Sequence, residues 1–231
     1  MHIHGLQKLA MVDYPGKLAA TVFTGGCNLR CPFCHNALLV TRLAETPEIP
    51  EQEVLDFLAS RRGLLDGVVL TGGDPLLQPD AADFLRKVRE LGFAVKLDTN
   101  GCDPARLAEI LNQGLVDYVA MDVKNAPARY AETVGIPGFN PAPVEESIRL
   151  LRKSTVDYEF RTTLVRELHR PEDLDAIAAW LAGAPRYYLQ NFVDSGNLIG
   201  RGYHGFTAEQ LQGFAERVRP FFGAVELRGI D

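Results

Sequence analysis

Short apolar runs rich in β-branched residues alternate along this chain with longer segments whose apolar positions recur at helical spacing. Runs such as Val68-Val69-Leu70 are continuously apolar, which is typical of parallel strands buried on both faces. The predicted strands are Ala19–Thr24, Gly67–Thr71, Ala94–Asp98, Tyr118–Asp122, Tyr158–Thr163, Tyr187–Asn191 and a last one near Ala224–Arg228. The predicted helices are Pro50–Ser60, Pro79–Leu91, Pro104–Gln113, Pro143–Lys153, Pro171–Leu181 and Thr207–Arg217.

Strands that alternate with helices predict repeated βα units and therefore a parallel sheet of the α/β class. Six such units would form an open, partial (βα)6 barrel, smaller than the closed barrel of eight units. The segment Ala126–Pro143 is rich in proline and glycine and is expected to be the longest loop. Because the alternation resumes after it, we expect a single domain over residues 1–231.

Composition and charge narrow the class of protein. The chain is 46% hydrophobic and 23% charged, as in ordinary globular proteins. A net charge of −6 with scattered basic residues argues against sequence-independent nucleic-acid binding. The apolar stretches are too short to span a bilayer, and the first residues lack the regions of a signal peptide. We therefore expect a cytoplasmic protein with neither a nucleic-acid partner nor a membrane partner.

Three of the four cysteines lie within eight residues, as Cys27, Cys31 and Cys34, with the spacing C-x3-C-x2-C. Such bunching indicates metal ligands in a reducing compartment rather than a disulfide framework. Three thiolates are one short of the four that a cubane iron–sulfur cluster takes, so one iron would stay open. The alternative is a structural zinc site with His35 or Cys102 as the fourth ligand. Otherwise Cys102 is expected to be a free, partly buried thiol.

Polar or glycine-rich motifs follow the carboxyl end of each of the first six predicted strands, where function collects in βα barrels. Some of these motifs also have a purely structural interpretation. Gly72-Gly73-Asp74-Pro75 alone is typical of a turn, and Lys124 or Arg161 alone is typical of an ion pair. Six motifs on one rim nevertheless predict a prepared site. They are the cysteine loop, Thr71–Pro75, Asp98–Gly101, Met121–Lys124, Arg161–Thr163 and Gln190–Phe192.

The cysteine spacing resembles that of the radical S-adenosylmethionine superfamily. The stretch Val12-Asp13-Tyr14-Pro15-Gly16-Lys17 before the cysteines, with Cys34-His35-Asn36 after them, is similar to the activating enzymes of glycyl radical proteins. Within that subfamily the chain is most similar to the activating proteins of anaerobic ribonucleoside-triphosphate reductases. Pyruvate formate-lyase activating enzyme is a more distant relative. The resemblance extends from about His4 to the strand Tyr187–Phe192.

This resemblance implies a radical S-adenosylmethionine barrel with a 4Fe–4S cluster on Cys27, Cys31 and Cys34. The amino and carboxylate groups of S-adenosylmethionine would chelate the open iron, and its reductive cleavage would yield a 5′-deoxyadenosyl radical. That radical would take a hydrogen from a glycine of a partner glycyl radical enzyme, expected to be a class III ribonucleotide reductase. Flavodoxin or ferredoxin would donate the electron. The alternatives are a radical enzyme for a small molecule or peptide, and a structural metal or electron-transfer protein.

The resemblance also assigns contacts to the cofactor. Gly72 and Gly73 would present main-chain groups to the methionine ammonium, and Asp74 stands where many relatives carry glutamate. Phe33 would lie close to the adenine, and His35 would contact the cofactor or the backbone of its own loop. The other cofactor-binding candidates are Asn100 and Gln190.

The resemblance further predicts a charged rim beside the methionine carboxylate. Asp98, Thr99 and Asp122 are candidate ligands of a monovalent cation there. Lys124 and Arg161 are the candidate catalytic residues, facing the carboxylate or the protein substrate. The histidines without a predicted partner, which we expect at the surface, are His2, His4, His169 and His204.

Overall fold

The computed structural model describes residues 1–230 and contains one eight-stranded sheet, in the order β1 to β8. The strands are β1 (Ile3–Ala10), β2 (Ala19–Thr24), β3 (Gly67–Gly72), β4 (Ala94–Thr99), β5 (Tyr118–Asp122), β6 (Asp157–Leu164), β7 (Arg186–Asn191) and β8 (Ala224–Arg228). The helices are α1 (Ala37–Thr41), α2 (Glu51–Ala59), α3 (Ala81–Glu90), α4 (Pro104–Asn112), α5 (Tyr130–Thr133), α6 (Ala142–Lys153), α7 (Pro171–Leu181) and α8 (Ala208–Val218).

The parallel sheet of βα units is confirmed. Strands β2 to β8 pair in parallel with their sequence neighbours, and β1 joins β2 in antiparallel orientation. The order of the strands leaves β1 and β8 as the two edges, so the barrel is open, as six units predict. Among residues 1–230, no helix combines the length and the apolar character needed to cross a membrane.

Two local expectations were wrong or incomplete. Strand β1 was not predicted, because only Ile3 and Ala10 at its ends are buried, so its sequence lacks the alternation of a half-buried strand. The predicted loop Ala126–Pro143 contains a 3-10 turn at Pro127–Arg129 and then helix α5. Its residue Tyr130 is fully buried and supplies the apolar anchor that fixes this segment.

The register of the parallel strands brings their carboxyl ends to one rim. Thr24 of β2 lies opposite Gly72 of β3, and Asp122 of β5 lies opposite Arg161 of β6. Because side chains alternate between the two faces of a strand, residues two apart on β4 and β6 share the interior of the barrel. Side chains distant in sequence therefore meet above this rim.

The motif Val12–Lys17 lies at the opposite end of the sheet, in the β1–β2 connection. Tyr14 is buried there in a small cluster with Ala19, Val69 and Tyr118, its ring centroid 6.0 Å from that of Tyr118. The Asp13 carboxylate accepts a hydrogen bond of 2.6 Å from the Thr21 hydroxyl. The Val12–Lys17 motif, which helps to narrow the family resemblance, thus closes the base of the barrel.

Candidate active site

A cavity of about 300 Å³ opens at the carboxyl ends of the parallel strands. This volume is at the lower end of the range of small-molecule sites. Every predicted site residue except Asp74 lines it: Cys27, Cys31, Phe33, Cys34, His35, Gly72, Gly73, Asp98, Thr99, Asn100, Asp122, Lys124, Arg161 and Gln190. The remaining lining residues are Leu29, Asn36, Val40, Thr71 and Thr163.

The three clustered cysteines are free thiols on the loop between β2 and α1. Burial is the main cause that raises their pKa values, to about 11 for Cys27 and about 12 for Cys31. A buried neutral thiol becomes a thiolate when a metal takes the place of its proton. Iron would therefore neutralise the negative charge of the thiolates, which burial disfavours.

This donor set fits an iron–sulfur cluster. Within residues 1–230, no three His, Cys, Asp or Glu side chains converge as ligands of one ion. A cubane takes each cysteine on a different iron, so its ligands surround a volume rather than a point. Three thiols on the wall of one cavity are suited to such an arrangement.

The two glycines at the end of β3, Gly72 and Gly73, are required by close packing against the cysteine loop. A Cβ on Gly73 would lie 1.8 Å from the carbonyl oxygen of Gly26, and Gly72 has a φ of +128°. The Gly73 N–H donates to the Thr24 carbonyl oxygen at 2.9 Å, and the Gly72 carbonyl accepts from the Asn36 amide at 2.7 Å. The Gly-Gly pair therefore holds the start of the cysteine loop as well as lining the cavity.

Gly73→Ala is expected to destabilise the protein by about 2 kcal/mol and to reduce iron incorporation, because the added methyl group displaces the Gly26 backbone. Urea unfolding and iron content after anaerobic reconstitution measure the two effects. The matched control is Gly213→Ala in α8, where a Cβ meets no atom within 4 Å. That change should stabilise the helix by about 1 kcal/mol. Equal stability of the two variants would contradict the packing role of Gly73.

Asp74 is the predicted site residue that does not line the cavity. Its buried carboxylate accepts hydrogen bonds from the backbone N–H groups of Leu76 (2.9 Å) and Asn100 (2.7 Å) and from the Thr99 hydroxyl (3.0 Å). It therefore ties the end of β3 to the end of β4 instead of lining the cavity. The Asp74 side chain, which is shorter than that of glutamate, makes this link between the two strand ends.

Burial raises the pKa of Asp74 from 3.8 to about 6, although its hydrogen bonds oppose the shift. The folded protein then holds this proton more tightly than the unfolded chain. We expect the contribution of Asp74 to the unfolding free energy to fall by on the order of 3 kcal/mol as pH rises from about 4 to 6.

Urea titrations of metal-free wild-type and Asp74→Asn proteins at pH 4.5 and 7.5 measure this effect. The stability advantage of the wild type should be smaller at the higher pH. Asp175→Asn is the control of opposite sign, because Arg217 lowers the pKa of the exposed Asp175 carboxyl. An advantage of the wild type over Asp74→Asn that grows with pH would contradict the expected direction.

A chain of alternating charges forms one wall of the cavity. Asp98 pairs with the Lys96 ammonium and with Arg161 Nη1 (3.1 Å), and Arg161 Nε donates to Asp122 (2.9 Å). Lys124 Nζ donates to the other oxygen of Asp122 at 3.1 Å. Burial opposes ionisation, but the neighbouring cations outweigh it and lower the pKa values of Asp98 and Asp122. Three cations thus alternate with two carboxylates in this network.

The residues of the predicted cation site take part in these contacts. The carboxylates of Asp98 and Asp122 are occupied by the lysine and arginine side chains described above. The Thr99 hydroxyl donates to Asp74. The predicted ligands of a monovalent cation are thus engaged with groups of this chain.

Two residues that contact this wall were not predicted as site residues. Lys96 is only 1% exposed, and its signal was a charge placed two residues before Asp98 in an otherwise apolar strand. His169, expected at the surface, is buried, and its Nε2 lies 2.8 Å from the Lys124 carbonyl oxygen. That expectation was wrong because the contact joins residues 45 positions apart. His169 positions the backbone of Lys124.

Aromatic residues close the other side of the cavity. The His35 ring stacks on Phe192, with centroids 5.4 Å apart, and its Nε2 lies 2.8 Å from the Val193 carbonyl oxygen. Phe33 is buried and meets the edge of the same Phe192 ring. The cysteine loop therefore docks against the segment after β7, while Cys102 remains a half-buried free thiol.

The fold and the site define an open α/β barrel with three cysteines and a wall of paired charges at one small-molecule cavity. The family model of the radical SAM superfamily matches residues 21–181. The chain belongs to this superfamily and is a radical S-adenosylmethionine enzyme. Membership implies a 4Fe–4S cluster and S-adenosylmethionine as cofactors, which the donor set of the cavity fits.

Relatives narrow the class further. The chain is 36% identical over 197 residues to a candidate glycyl-radical enzyme activating enzyme of Methanocaldococcus jannaschii, covering 82% of this chain and 79% of that protein. It is 34% identical over 128 residues to the pyruvate formate-lyase-activating enzyme of Clostridium pasteurianum, covering 53% of this chain and 52% of that enzyme. The chain is thus homologous to activating enzymes of glycyl radical proteins.

The fold also matches solved structures. The crystal structure of Streptococcus suis SuiB aligns with a TM-score of 0.71 at 15% identity, covering 89% of this chain and 47% of SuiB. The chain therefore spans about half the length of SuiB, and the likeness concerns the barrel fold.

Proposed function

We propose that this enzyme activates a glycyl radical enzyme by removing a hydrogen atom from a backbone glycine, and that its partner is a class III ribonucleotide reductase. The observation that supports this most is the three-cysteine cavity in a chain that aligns with 79% of a named activating-enzyme relative. When bound, the cluster and S-adenosylmethionine supply a one-electron cleavage of the sulfonium C–S bond that yields a 5′-deoxyadenosyl radical. Flavodoxin or ferredoxin is the proposed donor, and the cytoplasm the proposed location.

Within this proposal, Cys27, Cys31 and Cys34 hold the cluster. A cation of the wall is complementary in charge to the methionine carboxylate, and a monovalent cation beside Asp98, Thr99 and Asp122 stays a prediction. Lys124 is the better candidate for that contact, because an ammonium has three donors and Lys124 makes one described side-chain bond, to Asp122. Arg161 already bridges two carboxylates and keeps the wall in place.

The remaining contacts are proposed from the family resemblance, and the position of these residues in the cavity supports them. Gly72 and Gly73 present backbone to the ammonium end of the cofactor, and Phe33 offers a buried aromatic face to the adenine. The other lining side chains assigned to the cofactor are His35, Asp98, Thr99, Asn100, Asp122 and Gln190.

Anaerobic reconstitution with iron and sulfide tests the proposal in two steps. Dithionite and S-adenosylmethionine should release 5′-deoxyadenosine, and mixing with class III ribonucleotide reductase of the same organism should produce a glycine-centred radical in electron paramagnetic resonance. Release of 5′-deoxyadenosine without a glycyl radical would favour a small-molecule or peptide substrate. A protein that holds one zinc and no iron or sulfide would contradict the proposed chemistry altogether.

A further inference from the structure

The sulfur of Cys27 has a side-chain hydrogen-bond donor that the other two clustered cysteines lack, although a backbone N–H, that of Asn36, also reaches Cys34. The Leu29 backbone N–H donates to the Cys27 sulfur at 3.4 Å, and the Asn100 side-chain amide donates to it at 3.7 Å. Among the described hydrogen bonds, no side-chain donor reaches the sulfur of Cys31 or Cys34. The environment of the three predicted ligands is therefore asymmetric.

The orientation of the Asn100 amide is fixed by its neighbours. Its Oδ1 accepts from the backbone N–H of Cys102 at 2.9 Å, so this atom must be the oxygen and the NH₂ group must point the other way. The amide nitrogen lies 2.8 Å from Asn28 Oδ1 and 3.7 Å from the Cys27 sulfur, and its two hydrogens suffice for both acceptors. The Asn100 backbone N–H is held by Asp74, and the residue is 5% exposed. Asn100 is thus a rigid, buried donor.

We propose that the Asn100 amide sets the reduction potential of the cluster by donating a hydrogen bond to the Cys27 thiolate. This inference rests on the proposed ligation of the cluster by Cys27. The electron that enters on reduction adds negative charge to the cluster and its sulfur ligands, and an N–H donor stabilises that charge. Asn100 therefore makes the cluster easier to reduce, acting through Cys27 as a positioning residue.

The test is a redox titration of reconstituted holoenzyme without S-adenosylmethionine, followed by electron paramagnetic resonance of the reduced cluster. Asn100→Ala should lower the equilibrium constant for reduction about tenfold, or about 59 mV for a one-electron couple. Asn100→Asp keeps the acceptor for the Cys102 N–H but places a carboxylate oxygen near the sulfur. Its potential should be lower still, giving the order wild type, Asn100→Ala, Asn100→Asp.

Asn36→Ala is the matched control, because its amide lines the same cavity but donates to the Gly72 carbonyl. Its equilibrium constant should stay within about twofold of wild type. Unchanged potentials in both Asn100 variants, with full iron and sulfide, would overturn the role of Asn100 and leave the proposed function intact. A wild-type protein that assembles no cluster would overturn the proposed function itself.

A second measurement tests the hydrogen bond from Asn100 to Cys27 if both Asn100 variants fail to assemble a cluster. Wild-type protein labelled with ¹⁵N only in asparagine side chains is reduced and studied by electron spin echo spectroscopy. A hydrogen bond to a cluster ligand should give a resolved ¹⁵N coupling. Its absence from a fully loaded, reduced cluster would overturn the proposal.

Discussion

A Cys31→Ala protein is expected to assemble no 4Fe–4S cluster and to release at least ~1,000-fold less 5′-deoxyadenosine than wild type, about 4 kcal/mol of barrier. Cys31 is the most deeply buried of the three clustered thiols, and no other cysteine lines the cavity. Two remaining thiolates cannot hold a cubane that normally takes four ligands. Iron and sulfide content and dithionite-driven cleavage of S-adenosylmethionine are the measurements.

The matched control for this prediction is Cys102→Ala. Cys102 is a half-buried free thiol that does not line the cavity, although its backbone N–H supports Asn100. Replacing its side chain keeps that N–H, so cluster content and cleavage should remain close to wild type. A Cys31→Ala protein that cleaves the cofactor as Cys102→Ala does would show that the cysteine loop does not carry the chemistry.

Arg161→Met is expected to lower the unfolding free energy of the metal-free protein by about 3–5 kcal/mol, the usual cost of breaking a buried ion pair from one side. The guanidinium is only 11% exposed and bonds to Asp98 and Asp122 together. Without it, the two carboxylates lose their common partner. Urea unfolding at neutral pH measures the loss.

Arg217→Met provides the surface comparison for this prediction. Arg217 also pairs with a carboxylate, that of Asp175, but both side chains are about half exposed. Exposed pairs contribute about 1 kcal/mol or less. Equal losses of unfolding free energy in the two variants would contradict a larger contribution from the buried Arg161 ion pairs.

The homology to glycyl-radical activating enzymes and the cavity geometry are independent observations that support the same class of enzyme. The alignment identifies the superfamily and its cofactors, whereas the side-chain contacts divide the predicted residues into separate tasks. Asp74 links two strand ends, Arg161 bridges two carboxylates, and Lys124 lines the cavity and donates to Asp122. Variants of these residues should therefore fail in measurably different ways, in stability, in the integrity of the wall or in cofactor binding.

Much of the fold was determined by local sequence. Runs such as Ala19–Thr24 and Tyr118–Asp122 form strands with the predicted bounds, because continuous apolar character and parallel burial are properties of neighbouring residues. The three cysteines share a loop because their spacing keeps them together. Since carboxyl ends of parallel strands meet on one rim, the sequence by itself also located the site there.

Only the tertiary structure decided what each polar residue does at that rim. The direction of the Asp74 carboxylate, the pairing of Lys96 with Asp98 and the burial of His169 join residues that are far apart or on different strands. Such contacts depend on strand register and helix packing, which no local pattern encodes. The sequence determined which residues follow the strand ends. Packing determined which of them bond to one another and which still face the cavity.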